Sequence, residues 1–244
     1  MDLIETDKYS QYRHPWEISR GKSVISILKS NPRDIRYADI GAGDMYFTRK
    51  LTGYTDKPVY AVDSGYNTLN NERYIIQYNK LEDIPSSAID YMVIMHVLEH
   101  IEDEDLFLER IKRYLNNNGE MTITVPACQF LFSDHDVFLN HRRRYYKKKL
   151  IRLLKKHGFR IRESFYFYTG LLLVRFLQLF MLKLKFPVHL RKAVARWKYS
   201  EKNIVTVLIK NLLDLDFCIS RVLGRMNLDF PGLNLCVICQ KKSV

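Results

Sequence analysis

A glycine turn at residues 41–43 constrains the fold of this chain more than any other feature of its sequence. The apolar run Arg36-Tyr37-Ala38-Asp39-Ile40 is typical of a buried strand, and it leads directly into Gly41-Ala42-Gly43. An amphipathic pattern from Met45 to Leu51 then predicts a helix. This order places backbone N–H groups and a helix N-terminus at the carboxyl edge of a sheet, where nucleotide-like ligands bind. Glycine is favoured because the turn is tight and a ligand approaches its backbone closely.

The residues around the turn indicate which ligand binds. Tyr46 replaces the third glycine of a dinucleotide-binding motif, and no Gly-Lys-Ser/Thr of a triphosphate loop follows. Asp39 precedes the first glycine by two residues, where a carboxylate can meet an ammonium group. Asp63 ends the next apolar run, Val59–Val62, where the hydroxyl pair of a ribose is usually bound. A cationic amino acid joined to a nucleoside fits both acids, which predicts S-adenosylmethionine.

Further apolar runs alternate with helical patterns along the chain. Strands with intervening helices at this spacing predict a doubly wound α/β sheet. The helix before the fifth strand is expected to stop at residues 116–119. The predicted strands after the first lie at residues 59–62, 74–77, 89–95, 121–126, 160–167 and 233–240.

The segments Tyr37–Gly43 and Ala61–Asp63 resemble the first two motifs of class I S-adenosylmethionine-dependent methyltransferases. The resemblance implies a Rossmann-like, seven-stranded sheet whose last strand is antiparallel. In the loop that reads adenine in this family, the expected acid is Lys80 here, so Asn79 or the Leu81 backbone takes its place, or adenine is held differently. The cofactor-binding residues implied by the resemblance are Asp39, Gly41, Ala42, Gly43, Asp63, Ser64, Leu81, Met95, His96, Trp16 and Arg20.

The last two of these residues lie on an N-terminal helix that begins near Pro15. In related methyltransferases an aromatic-rich N-terminal helix closes over the cofactor, which implies the same for Trp16 and Arg20. The alternative is that Trp16 is only a hydrophobic staple of that helix.

The segment His96-x-x-Glu99-His100 spells the inverted zinc-protease motif. That motif needs its ligands on one helix, whereas this segment follows a strand and enters a loop. In the quinone O-methyltransferases, metal-binding carboxylates and a histidine occupy these three positions, and His96 departs from that pattern. We therefore expect no metal here and expect His96 to line the floor of the site, with a metal as the alternative.

Residues 131–145 contain a pattern with chemical side chains at fixed spacing. It resembles the Ser-x-His-Asp-x-x-Leu-x-His-x-Arg-Arg-Tyr signature of a methyltransferase subgroup (types 11, 12 and 23) tied to cell-surface glycan and lipid pathways. Histidine suits a general base for a hydroxyl acceptor, an adjacent acid can orient it, and arginine can bind an anion. The alternative is that residues 142–149 form a solvated basic face and that His141 caps a helix. The implied catalytic pocket comprises His135 or His141 as base, with Asp136, Arg144 and Tyr145.

The chain carries a net charge of +12, and this charge is concentrated in its second part. Residues 1–141 contain 15 Lys and Arg against 22 Asp and Glu, whereas residues 142–244 contain 24 against 5. This asymmetry indicates an anionic partner, either a nucleic acid or a membrane surface. The four cysteines lie in apolar surroundings and the N-terminus lacks signal-peptide features, which predicts a cytoplasmic protein. Cys236 and Cys239 lie in a predicted strand, so they should point to opposite faces rather than bind zinc.

The predicted methyltransferase domain comprises residues 1–167 and 231–244, and residues 168–230 form a helical insertion before the last strand. The apolar run 170–182 is too short for a hydrocarbon core that needs about twenty residues. With the basic residues that follow it, this run is typical of a helix lying on the inner, anionic face of a membrane. The alternative is a lid in which it pairs with a second helical pattern at 204–223. Both place the insertion above the acceptor.

These features predict methyl transfer to a hydroxyl of a small-molecule, glycan or lipid-linked acceptor. A quinone-type O-methyltransferase with a metal is one alternative. A nucleic-acid methyltransferase is another, although the Asn/Asp-Pro-Pro-aromatic turn of base-modifying enzymes is absent after the fourth strand. A third is a non-catalytic, membrane-binding scaffold with the same fold.

Overall fold

The computed structural model describes residues 13–183 and 203–242, without the side chains of residues 178, 179 and 181–183. Seven strands form one sheet: β1 Tyr37–Ile40, β2 Val59–Val62, β3 Ile75–Tyr78, β4 Ile89–Met95, β5 Leu115–Pro126, β6 Phe159–Phe167 and β7 Asn234–Lys241. Their order is β3-β2-β1-β4-β5-β7-β6. Strand β7 runs antiparallel to β5 and β6, and every other neighbouring pair is parallel, so the predicted seven-stranded fold with an antiparallel last strand is confirmed.

Helices cover both faces of the sheet. They are α1 Pro15–Leu28, α2 Tyr46–Leu51, α3 Glu104–Tyr114, α4 Asp134–Phe138, α5 Lys147–Lys156, α6 Thr169–Lys183 and α7 Ile204–Arg225. Leu108 of α3 and Leu150 of α5 are fully buried in the core on one face. Val24 of α1 and Phe217 of α7 belong to the core on the other face. The layers follow from β-strands whose buried residues alternate between these two cores.

Local sequence signals set several of these boundaries. Pro15 is the first residue of α1, where its missing N–H costs nothing. The Asp103 side chain accepts a hydrogen bond from the Leu106 N–H and caps α3. Gly158 follows α5 with a φ of +79°, a conformation that favours glycine. Cys236 and Cys239 are buried on opposite faces of the sheet, as their spacing predicts.

The fifth strand begins six residues earlier than the sequence predicts. Leu115 follows α3 directly and pairs with Ile89 of β4, and a register shift occurs before Glu120 meets Tyr91. Helix α3 ends at Tyr114, directly before the predicted stop at residues 116–119, but pairing with β4 draws this polar segment into the sheet. Asn118 takes a left-handed conformation there, with φ of 63°.

The insertion divides between two locations. Helix α7 packs on β6 and α1, and the Phe217 ring lies 5.3 Å from Phe165 and 5.2 Å from Phe167. Helix α6 instead contacts the loop after β5, where Arg175 donates a hydrogen bond to Ser133 Oγ at 2.7 Å. In the ranges that the structure describes, no helix has the length and apolar character needed to cross a bilayer. Most of the basic residues predicted to follow the apolar run, from Lys185 to Lys198, lie outside those ranges.

Candidate active site

The glycine turn sits where β1 and β2 end, and its geometry requires glycine at position 41. Gly41 has a φ of +76°, and a Cβ there would lie 2.3 Å from Cγ2 of Val97. The N–H groups of Gly41 and Ala42 both donate to the Val62 carbonyl, at 2.8 and 3.0 Å. These two N–H groups therefore join β1 to β2, and they are not turned outward to a ligand as the turn alone predicts.

Asp39 lies beneath this turn and is almost completely buried. The Thr48 hydroxyl of α2 donates a hydrogen bond of 2.6 Å to its carboxylate. Burial raises the pKa of Asp39 to about 6, although the hydrogen bond from Thr48 acts in the opposite direction. A carboxyl group with this pKa is ionised at neutral pH, and a neighbouring cation would stabilise its charged form.

Asp63 follows β2 and is held by the turn itself. The Gly43 N–H donates to Asp63 Oδ2 and the Gly65 N–H donates to Oδ1, each at 2.8 Å. Ser64 is exposed beside it, and Leu81 begins a short 3₁₀ helix after β3. Both acids predicted from the sequence therefore lie at the same carboxyl edge, on neighbouring strands.

A cleft opens between this edge and α1. Asp39, Gly41, Ala42, Met95 and Arg20 line it, as the sequence predicts. Among the described residues, the Arg20 guanidinium makes no hydrogen bond or ion pair. The cleft also contains six residues that the sequence did not single out: Arg13, Glu17, Gly21, Asp44, Tyr46 and Phe47.

Three of these six residues belong to one polar stripe on α1 and the residues directly before it. Arg13, Glu17, Arg20 and Gly21 are spaced at helical intervals, so a search for a polar stripe on this apolar helix would have found them. Arg13 pairs with Asp44, and its guanidinium lies 3.9 Å from the centre of the Tyr46 ring.

Trp16 does not line the cleft. Its ring stacks on His14 with 3.5 Å between ring centres, and it packs against the core that α1 shares with α7. This placement favours the alternative in which Trp16 fixes the start of α1.

His96 connects the cleft to the segment that follows β4. It takes a φ of 55°, and its Nδ1 lies 3.0 Å from Oε1 of the fully buried Glu99. Burial lowers the pKa of His96 well below its ordinary value, and the Arg20 cation adds to this effect. His96 is therefore neutral at neutral pH. Its buried Nε2 has no hydrogen-bond partner within the described part of the chain.

Glu99, His100 and His141 form a cluster next to His96. Their ligand atoms lie within 4.8 Å of one another, and the two histidine rings meet edge to face at 4.9 Å. His100 Nδ1 lies 3.3 Å from the Asn140 carbonyl oxygen. Two imidazoles and a carboxylate form a donor set that suits a divalent cation as well as proton transfer.

Asp136 contacts His141, one member of this cluster, and also pairs with Arg144. Its Oδ1 lies 3.1 Å from His141 Nδ1 and accepts a 2.7 Å hydrogen bond from Arg144 Nε, while Oδ2 accepts from the Ser133 N–H. Burial alone would raise the pKa of Asp136, but the bond with His141 and the Arg144 cation outweigh it and bring the pKa to about 2. Asp136 is thus a permanently ionised, buried acceptor.

The remaining predicted pocket residues are placed differently. Arg144 is 7% exposed, and its guanidinium donates hydrogen bonds to Asp136 and to the Ala127 carbonyl. Tyr145 is fully buried, and its hydroxyl donates to Glu104 Oε1 at 2.6 Å and lies 3.0 Å from the Leu98 carbonyl oxygen. Both residues therefore position the loop in this structure, because their polar atoms face the protein interior. His135 lies on the exposed side of α4.

The family model Methyltransf_23, described as a methyltransferase domain, matches residues 12–164, which is more than half of the chain. The chain belongs to this methyltransferase family. Together with the fold, this match confirms the predicted class I S-adenosylmethionine-dependent methyltransferase family and its cofactor. No curated protein matches the chain in sequence.

Several solved structures share the fold at low identity. Phosphoethanolamine N-methyltransferase 2 of Haemonchus contortus, in complex with S-adenosyl-L-methionine, is 15% identical with a TM-score of 0.56, over 92% of this chain and 52% of that one. The present chain thus spans about half of that enzyme. A SAM-dependent methyltransferase from Archaeoglobus fulgidus is 18% identical with a TM-score of 0.52, over 93% and 94% of the two chains. The [4+2]-cyclase SpnF is 12% identical with a TM-score of 0.59, over 97% and 86%.

Proposed function

We propose that this chain transfers the methyl group of S-adenosylmethionine to a hydroxyl of a small-molecule, glycan or lipid-linked acceptor, with His141 as the general base. The observation that carries the proposal is the 3.1 Å contact between His141 Nδ1 and Asp136 Oδ1 beside the cleft. When bound, the cofactor supplies a methyl group that is already strongly electrophilic. The protein therefore has to position the acceptor and accept its proton.

The cleft and the adjoining carboxyl edge of the sheet offer complementary groups for each end of the cofactor. Asp39 suits the ammonium of the amino-acid end, and Arg20, whose guanidinium has no ion pair among the described residues, suits its carboxylate. Asp63, whose two oxygens each retain a free lone pair beside one N–H bond, suits the ribose hydroxyls. The residues present therefore fit this cofactor.

The Asp136 carboxylate determines which nitrogen of His141 can act as a base. Because Asp136 is ionised and can only accept, His141 Nδ1 carries the proton in their hydrogen bond. This leaves Nε2 as the acceptor of a proton. An acid that fixes the tautomer and orientation of a histidine is the usual arrangement of a base and its orienting partner.

Exposed apolar side chains around this loop favour an acceptor with an apolar part. Phe130, Val137 and Phe138 are each 61% exposed on the segment that also carries the histidines. A lipid-linked acceptor would use this surface. The exposed apolar side chains of α6 beside it, with the basic residues after them in the sequence, would suit peripheral contact with a membrane.

Transfer of a labelled methyl group from the cofactor into fractionated cell lipids and glycans tests the proposal. We expect labelled product with the unmodified chain and a kcat about 10²–10⁴-fold lower with His141→Ala, at unchanged cofactor affinity. His135→Ala, in the same segment but exposed, is the matched control and should retain activity. Normal turnover by His141→Ala would refute the base assignment. Cofactor binding without any labelled fraction would favour the scaffold function.

A second candidate is metal-assisted transfer of the quinone O-methyltransferase type, which the Glu99, His100 and His141 cluster favours. Here His141 Nε2 would bind the cation and could not act as the base. Dialysis against a chelator, followed by addition of Mg²⁺ or Zn²⁺, separates the two candidates. Activity that is lost and then restored supports the metal, whereas unchanged activity supports His141 as the base.

For the nucleic-acid alternative, binding to RNA in a gel shift should weaken steeply with salt.

A further inference from the structure

Helix α7 exposes a regular row of aliphatic side chains along its whole length. Seven positions spaced alternately three and four residues apart are 50–63% exposed, and all are apolar. They are Val205, Leu208, Leu212, Leu215, Ile219, Val222 and, directly after the last residue of the helix, Met226. An unbroken three-four repeat is the pattern by which one helix packs against another in a coiled coil.

Packing within the described chain does not account for this row. The opposite face of α7 supplies the contacts to the sheet, through the buried Leu213 and Phe217 and the close approach of Gly224 to Phe165. The helix therefore has two apolar faces, and only one of them is covered by the sheet. A helix that is apolar on both sides needs a partner on the second side.

The charges of α7 favour a protein partner over an anionic lipid surface. Lys210 pairs with Asp214 at 3.0 Å, and Arg221 and Arg225 both pair with Glu163, at 2.8 and 2.5 Å. Every cation of the helix thus contacts an acid of the same chain, and the two arginines share Glu163. Helices that bind membranes in the interface carry cations that remain available to lipid head groups, and their apolar sector is wide rather than a narrow stripe.

The size of the row matches what a dimer needs. Seven half-exposed aliphatic side chains represent on the order of 600 Å² of apolar surface, at the upper limit of what a monomer exposes. Covered by an identical row, they would bury about 1,200 Å² in total, the lower end of a specific interface. A neutral, self-complementary face has no like charges to repel its copy.

We propose that α7 pairs with α7 of a second copy of this chain, forming a two-fold symmetric dimer. Leu215 lies at the centre of the row, so its side chain packs against Leu215 of the other copy in either helix orientation. The interface lies on the outer side of the helix that covers β6 and α1, and it leaves the carboxyl edge of the sheet open. Dimerisation is independent of which acceptor the enzyme uses.

Light scattering coupled to size-exclusion chromatography, and sedimentation equilibrium, test this on the full chain. We expect twice the monomer mass for the unmodified protein. Leu215→Lys and Leu215→Glu should each weaken self-association at least a hundredfold and give monomers, and their equimolar mixture should regain the dimer mass. Leu177→Lys makes the same change at a 57% exposed position of α6 and should leave the dimer intact.

Three results would refute the proposal. One is a monomeric unmodified protein at tens of micromolar. Another is a dimer that persists in both Leu215 variants. The third is a monomer that floats with vesicles of phosphatidylserine and phosphatidylcholine and loses this binding with Leu215→Lys, which would assign the row to a membrane. Circular dichroism of each variant confirms that the exposed substitution leaves the fold intact.

Discussion

Two buried aspartates of the site have opposite electrostatic environments. Asp39 has one hydroxyl donor, so burial dominates and raises its pKa to about 6. Asp136 has Arg144 and His141 against it, so its pKa falls to about 2 despite burial. The Asp39 carboxylate is therefore suited to pairing with a cationic group of a bound ligand, whereas the Asp136 carboxylate already pairs with Arg144 of the protein.

The pH dependence of cofactor binding should report on Asp39. Because its pKa is raised to about 6, the group is ionised above that pH and neutral below it. We expect the affinity for S-adenosylhomocysteine, which retains the ammonium, to be constant from pH 8 to pH 7 and to fall up to tenfold per unit below pH 6. Calorimetric titrations across this range measure it. Asp39→Asn should bind weakly with no such fall, and a parallel fall in that variant would exclude Asp39 as the cause.

Arg20 should recognise the carboxylate of the cofactor. Arg20→Ala is expected to weaken S-adenosylhomocysteine binding about tenfold, since it removes a charge-assisted hydrogen bond. Methylthioadenosine lacks that carboxylate, so its affinity should not change. Lys29→Ala, at the exposed C-terminal end of the same helix, is the control. Equal losses for both ligands would show that Arg20 acts on the shape of the cleft instead.

At the scale of elements, continuous apolar runs were predicted most accurately. Strand β4 spans Ile89–Met95 as the sequence predicts, because it is buried on both faces. The polar beginning of β5 was missed because its place in the sheet depends on pairing with β4. Helix α7 was predicted from its pattern, but its location on β6 and α1 was not, since its amphipathic pattern does not specify the surface it packs on.

The contact between α7 and β6 should make one helical glycine irreplaceable. Alanine usually stabilises a helix relative to glycine, but a Cβ at Gly224 would lie 2.4 Å from the Phe165 Cβ. We expect Gly224→Ala to lower the free energy of unfolding by about 1–3 kcal/mol. At Gly170 of α6, an added Cβ meets no atom within 4 Å, so Gly170→Ala should be neutral or stabilising by up to about 1 kcal/mol. Urea unfolding compares the two, and equal effects would argue against the contact.

At the scale of the whole molecule, the insertion supports the cofactor cleft from behind. Asp214 of α7 accepts hydrogen bonds from Ser19 at 2.7 Å and Lys22 at 2.5 Å, both on α1. The neighbouring Glu17, Arg20 and Gly21 line the cleft. Two segments far apart in sequence thus set the position of one wall of the site.

Removal of Asp214 should therefore affect binding without touching the ligand. We expect Asp214→Ala to weaken S-adenosylhomocysteine binding two- to fivefold and to lower stability by about 1–2 kcal/mol, since it leaves the buried Ser19 hydroxyl and the ammonium of Lys210, whose side chain is 13% exposed, without an acceptor. Calorimetry and urea unfolding measure these effects. Asp56→Ala removes an exposed pair with Arg33 and should change neither. Unchanged affinity in Asp214→Ala would show that α1 keeps its place without α7.

The sequence by itself determined the sheet, the cofactor and the two acids at its carboxyl edge, because strand periodicity and a glycine turn are local properties of the chain. Tertiary structure decided where the side chains of the signature at residues 131–145 lie and what they contact. It brought His141 onto Asp136 and next to Glu99, turned Tyr145 into the core and placed a polar stripe of α1 over the cleft. Those outcomes depend on which distant segments of the chain pack together. The burial and the charged neighbours of a side chain at such a contact cannot be predicted from the spacing of residues in the sequence alone.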